Sequence, residues 1–329
     1  MRKSDVDDHR VARSMALATA WLRALVFRQK YEHGISRFKM TARDRAFLNQ
    51  IFSASYAGGK LYWSNRSVKT AAAEAMIDAY LEDYEADPGR ERWLGTFAWN
   101  DGLTSERAPS IDLISLKGKV GKAMREYGLE GIGVVEVDVT THIPGEDGKL
   151  LLVHVHIYCW KADGSSFSPV TTANSLMASR RFPNRLGAPS VDFKAVSSYP
   201  ISVARVAGYL MKFQPGAKNR IPRRDKPGRY ALRSTIRGFT PDSVVRLVEV
   251  MSHLDARDMV FSVGPNGRVL RDAWYARLME WARSRPTRKR PLINYGVAEH
   301  WRSIRADNGS KKMKACRIVT RVSQRHKFD

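Results

Sequence analysis

Two β-prone runs constrain the fold of this chain more than any other feature. "GIGVVEVDVT" (131–140) and "LLVHVHIYCW" (151–160) are joined by "THIPGEDGK", whose Pro-Gly and Asp-Gly pairs signal a turn. Strand side chains alternate between faces. Val135, Val137 and Val139 therefore share one face, and Glu136 and Asp138 the other. In the second run Val153, Val155 and Ile157 oppose His154, His156 and Tyr158. If the runs pair as a hairpin, both apolar faces must cover the core, and the polar faces then coincide. His154 and His156 are thus expected beside Glu136 and Asp138 on one exposed surface.

The surrounding chain supplies helices. Residues 1–88 read as helical, with Leu17, Trp21 and Leu25 and then Phe47, Leu48 and Ile51 at near-helical spacing. Thr41 is the expected N-cap of "TARDRAFLNQIF", and Pro88-Gly89 closes the Ala-rich segment Lys69 to Tyr84. "RWLGTFAW" is β-prone, "SIDLISLKGKVGKAMREYG" reads as a helix capped by Ser110 and closed by Gly128, and "PISVARVAGYLMKF" reads as another helix. The order β-α-β-β-α predicts an α+β domain over 89–238, a central antiparallel sheet with helices packed on one face. Beyond it, "TPDSVVRLVEVMSHL" starts a helix at Thr240-Pro241, and "MVFSVGPNGRVL" reads as a hairpin turning at Gly264–Gly267. "RDAWYARLMEWA" is an amphipathic helix followed by a basic tail. Three segments result: a helical region 1–88, the sheet domain 89–238, and a small α/β region 239–329 with that tail.

Charge bears on partners. Lys and Arg number 56 against 33 Asp and Glu, a formal net charge of +23. Such an excess points to a polyanion: DNA, RNA or an acidic membrane surface. The 2 Cys, Cys159 and Cys316, form no CxxC pair, so neither a disulfide framework nor a thiolate zinc site is available, which suits a reducing cytoplasm. The apolar run Met15 to Phe27 is too short to span a bilayer and is broken by Arg23, so no membrane association is expected. Residues 214–238 carry Lys218, Arg220, Arg223, Arg224, Lys226, Arg229, Arg233 and Arg237, read as a phosphate-tracking loop or a solvated, flexible one.

Two imidazoles beside carboxylates make a divalent-metal site, with Mn²⁺ or Mg²⁺ suited to mixed His/carboxylate ligation. The alternative is a solvated polar sheet face without metal. Arg205, Tyr209 and Lys212 fall at i, i+4 and i+7, away from the stripe Val203, Val206, Leu210 and Phe213. A tyrosine near a metal-bound phosphate can act as a nucleophile, with a cation one turn away to assist; otherwise it is an amphipathic surface residue. The second Tyr-x-x-Lys, Tyr158 to Lys161, lies at a strand end, where that spacing points the two side chains apart.

Taken in order, "WLGTFAW", a helix, "VVEVDV", His-Val-His and a helical "YLMK" resemble the HUH endonuclease superfamily, within it the replication initiators of rolling-circle plasmids and small phages. The resemblance covers residues 92–238 and implies a HUH/ferredoxin-like core. It implies that His154, His156 and Glu136, with Asp138 as alternative, hold a divalent cation that polarises the scissile phosphate of single-stranded DNA. Tyr209 would attack, leaving a 5′-phosphotyrosine link and a 3′-hydroxyl that primes synthesis, with Lys212 as its electrostatic partner. Arg205, Lys218, Arg220, Arg223, Arg224, Lys226 and Arg229 would contact DNA. Phe213 stands where some relatives carry a second tyrosine, so one tyrosine is implied, and the absence of a closely following third histidine argues against a conjugative relaxase. The chain has no GxxxxGK[ST] motif, so a host helicase and polymerase are expected partners. The same chemistry serves transposases and mobilisation proteins, and a non-catalytic basic regulator is the remaining alternative.

Overall fold

The computed structural model describes residues 3–37, 42–53, 60–106, 109–141, 143, 149–213, 217–224, 228, 230–235, 240–285 and 317–319. Helices α1 (Lys3–Arg37), α2 (Ala42–Ser53) and α3 (Arg66–Ala86) precede the first strand. Strands β1 (Arg92–Phe97), β2 (Leu103–Ser105) and β3 (Ser110–Asp112) lead into α4 (Leu113–Glu126). The hairpin follows as β4 (Leu129–Thr141) and β5 (Leu150–Lys161). Then come α5 (Pro169–Ala178), β6 (Val191–Val196), α6 (Pro200–Leu210), β7 (Ala217–Pro222) and β8 (Tyr230–Thr235). The remainder is α7 (Pro241–Met251), α8 (Ala256–Met259), β9 (Val260–Val263), α9 (Gly264–Arg283) and β10 (Arg317–Val319).

The fold is α+β. Its sheet runs β6-β1-β5-β4-β7-β8, with β2 also paired to β5 and β9 to β4. All these pairings are antiparallel except β4 with β7. The two central strands pair in the register that their alternation demands. Glu136 lies opposite His154, Val135 opposite Val155 and Val134 opposite His156. A slip of one residue would turn the valines out of the core, and each buried Val or Ile stabilises the fold by roughly 1.5–3 kcal/mol.

Helices cover both faces of this sheet, where one covered face was expected. On the histidine face, Tyr80 of α3 stacks on Tyr158 at 4.2 Å, and α1 packs across α3 and α6. On the valine face, α4 lies against β4 and β9, with Gly121 beside Val263. All 13 residues of β4 are buried as a result. Residues from all three sequence segments, Ala12 through Ala282, join one buried cluster.

Local departures from the sequence reading have local causes. Asp112, not Ser110, caps α4, accepting a hydrogen bond from the Ser115 amide at 2.9 Å, because Ser110 is in β3. Gly128 closes that turn at φ +62°, as expected of a glycine there. Gly264 begins a helix instead of a hairpin: Pro265 presets the first helical turn, and Gly264 takes φ +74°. The segment read as a basic loop contains the β7–β8 hairpin. Helix α6 ends at Leu210, so Lys212 and Phe213 follow it instead of lying on it. Thr240 and Pro241 do start α7, and α3 does end just before Pro88-Gly89. Cys159 is buried as a free thiol; Thr41, Arg237 and Cys316 lie outside the described residues.

Two glycines test the packing. A Cβ at Gly267 would stand 2.2 Å from the Gly131 carbonyl oxygen, whereas one at Gly118 meets nothing within 4 Å. Gly267→Ala should cost about 2 kcal/mol or more. Gly118→Ala, at an exposed helix position, should stabilise by ~0.5–1 kcal/mol. Urea unfolding midpoints read both.

Candidate metal centre

Strand register brings the polar residues together, and tertiary packing then buries them. His154, Glu136, His156 and Asp138 are at most 8% exposed, where an exposed surface was expected. The overlying helices exclude water, and two lysines offset the charge. Lys212 Nζ lies 2.6 and 2.8 Å from the two oxygens of Glu136, and Lys218 Nζ lies 2.8 Å from Asp138 Oδ2. Lys218 is therefore part of this buried cluster, not of a phosphate-tracking loop.

The ring nitrogens converge. His154 Nε2 and His156 Nε2 are 3.1 Å apart, and they lie 3.3 and 3.5 Å from Glu136 Oε2. Donors bound to one ion at ~2.1 Å and separated by 90–110° stand about 3.0–3.4 Å from each other. The spacing of these three residues is that of a ligand set, and together they could hold a metal ion. Asp138 Oδ2 is 3.6 Å from His154 Nε2 and touches Lys218, yet the carboxylate accepts no well-oriented hydrogen bond.

Tautomers follow from the neighbours. His154 Nδ1 faces the Leu152 carbonyl at 3.4 Å, and a carbonyl only accepts, so Nδ1 donates there and Nε2 is turned to the cluster. His156 Nδ1 is held by Thr96 Oγ1 at 2.9 Å, which orients its Nε2 towards the same point. Burial pushes His156 down to about 3, so the ring is neutral and able to ligate. Burial alone would raise the Glu136 carboxyl, but the Lys212 ammonium opposes it, and the group is held well below the usual carboxylate range. Two imidazole nitrogens converging on a carboxylate oxygen make a donor set of the kind a divalent cation takes.

Tyr209 joins this cluster from α6. Its Oη lies 3.4 Å from His156 Nε2, and the Lys212 ammonium lies 3.5 Å from its ring centroid. Burial pushes its hydroxyl up, Glu136 adds to this, and Lys218 and Arg23 oppose it. The phenol is thus protonated at neutral pH until further positive charge arrives.

The other basic residues divide. Arg205 is exposed on α6 and lines a cleft with Tyr209. Arg220 donates to the Leu186 carbonyl at 2.8 Å and lies over the Tyr230 ring, which ties it into the β7–β8 hairpin. Arg223 is half-buried and Arg224 exposed, both just beyond β7; Lys226 and Arg229 lie outside the described residues. Sequence reasoning missed Thr96 and Lys69. Alternation in "RWLGTF" sets Thr96 on one face with Arg92 and Leu94, but only the β1–β5 register sets it opposite His156. Lys69 sits between the Trp63 and Phe213 rings at 4.7 and 4.6 Å, and nothing in the Ala-rich stretch of α3 signals its burial.

No protein-family model, curated protein or solved structure matches this chain. Among the described residues, no helix is long and apolar enough to cross a membrane.

Two predictions follow from the buried lysines. Lys212→Met leaves Glu136 buried without its counter-ion and should cost about 3–5 kcal/mol, partly recovered in Lys212→Met/Glu136→Gln. Chemical denaturation measures both. Burial pushes Lys69 down to about 7 from 10.5, so between those values the unfolded chain binds the extra proton and stability rises with pH. From pH 7 to 8.5 the wild type should gain roughly 1.5 kcal/mol over Lys69→Met, read from urea midpoints at each pH.

Proposed function

We propose that this protein is a metal-dependent endonuclease of the HUH type, which nicks single-stranded DNA through Tyr209 to start rolling-circle replication. One observation carries the reading: among the described residues one tyrosine, Tyr209, has its Oη 3.4 Å from a nitrogen of the Glu136–His154–His156 cluster. The net charge of +23 supports a nucleic-acid substrate.

In this reading Tyr209 Oη attacks the phosphorus. The Oη–P bond forms, the P–O3′ bond breaks, and the proton lost by the phenol balances the one gained by the 3′-oxygen. The 5′-phosphate stays on the tyrosine, and the free 3′-hydroxyl serves a host polymerase behind a host helicase. A divalent cation, Mn²⁺ or Mg²⁺, held by His154, His156 and Glu136, would supply the positive charge that the scissile phosphate requires. Thr96 and the Leu152 carbonyl fix the two rings. Lys212 keeps Glu136 ionised and lies against the face of the nucleophile's ring. Asp138 remains with Lys218.

The test pairs labelled single-stranded DNA from the replicon encoding the chain with the protein, with and without Mn²⁺. Wild type should form a denaturation-resistant adduct that requires metal, and Mn²⁺ at ~100 times its Kd should stabilise the fold by about 2.7 kcal/mol. Tyr209→Phe should lose the adduct by at least a thousandfold while retaining the metal-dependent stabilisation. An undiminished adduct in Tyr209→Phe, or one indifferent to metal, rejects the reading.

A further inference from the structure

A cleft of about 400 Å³ opens between α1 and α6, with Tyr209 in its wall. That volume is within the ~300–1,000 Å³ of ordinary ligand sites. Ala16 and Gly208 form part of the wall where the two helices approach: a Cβ on Gly208 would come within 3.4 Å of the Ala16 carbonyl oxygen. Arg23 from α1 and Arg205 from α6 both line it, and no carboxylate among the described residues does. Neither guanidinium has an ion-pair or hydrogen-bond partner among the described residues. Two other arginines of α1 are ion-paired: Arg13 with Glu74 and Asp78, and Arg28 with Glu32. Thr19 sits at the rim, its hydroxyl donating to the Met15 carbonyl at 2.9 Å.

We infer that this cleft is a phosphodiester subsite for single-stranded DNA, in which Arg23 and Arg205 each bind phosphate oxygens of the strand led to Tyr209. The inference rests on the nuclease reading and extends it: the helical N-terminal region becomes one wall of the substrate site. Paired guanidiniums suit the task, because each presents parallel N–H donors to phosphate oxygens. Two unpaired cations facing a cavity without acids repel one another, and a bound phosphodiester relieves that repulsion. The cleft reaches Tyr209, whose Oη touches His156, so a strand seated there passes from the arginines to the nucleophile and the metal cluster without crossing the sheet.

Binding of a fluorescent oligodeoxynucleotide is measured by anisotropy in EDTA across a salt series, so that neither metal nor cleavage contributes. The variants are Arg23→Gln, Arg205→Gln, their double, and Thr19→Trp, which fills the cleft and keeps both charges. Arg125→Gln, exposed on α4 across the sheet, lowers the net charge equally and is the control. Each cleft variant should weaken binding at least fivefold. The double should reduce the slope of log affinity against log salt by about 1.4, two phosphate contacts at ~0.7 each on a single strand. The control should stay within twofold. Wild-type affinity and slope in the double variant, an equal loss in the control, or tighter binding of the matching oligoribonucleotide each overturn the inference. The adduct assay separates the two ideas. An adduct in wild type with undiminished strand binding in the cleft variants rejects the subsite alone. Loss of strand binding in those variants, with no adduct in wild type, rejects the nuclease reading and retains the subsite.

Discussion

Two ion pairs permit the arrangement of everything around them: Lys212 with Glu136, and Lys218 with Asp138. A hairpin with carboxylates and imidazoles on one face would ordinarily present that face to water. Here α1, α3 and α6 lie over it, and desolvating two carboxylates without partners would cost several kcal/mol each. The lysines remove that obstacle. The sheet can then be covered on both sides, and the helices that cover it carry Tyr209, Arg23 and Arg205 to the same region.

Much of the hairpin was legible because period-2 alternation is a strict code. The valines had to share a face, and so the acids and histidines had to share the other; the observed register sets Glu136 opposite His154. Tyr209 was legible for a similar reason, since its helical spacing from the apolar stripe of α6 sets its direction. Burial was not legible. The faces of β4 and β5 are both filled, but one is filled by helices from residues 3–86, and no local pattern states what a helix will pack on. Lys218 reads as part of a DNA-contacting loop because its neighbours in sequence are basic, yet β7 pairs with the end of β4 and draws it inward. The strand-to-helix junction at Val263–Gly264 was misread because Gly-Pro-Asn-Gly suits a hairpin turn as well as a helix start. Here packing decided: Gly267 lies against the Gly131 backbone, a contact that α9 makes and a hairpin would not.

A neutral His156 ring, a carboxylate kept ionised and a phenol kept protonated form a consistent set of charge states. Low polarity favours the uncharged form of each group except where a specific partner opposes it. Glu136 has that partner in Lys212, whereas at His156 burial outweighs the nearby Glu136 carboxylate, and at Tyr209 burial and Glu136 act in the same direction. The centre thus combines an ionised Glu136 carboxylate, a neutral His156 ring and a protonated Tyr209 phenol.

Tyr209, Lys212 and Lys218 fall within ten consecutive residues, while the acids and histidines they meet belong to one hairpin. The centre is thus a two-piece joint. Displacing α6 with the turn that follows it would withdraw Tyr209 and the Lys212 counter-cation at once, leaving Glu136 bare, while Lys218, held in the sheet by β7, stays with Asp138. Such a state is costly, so the joint resists partial opening.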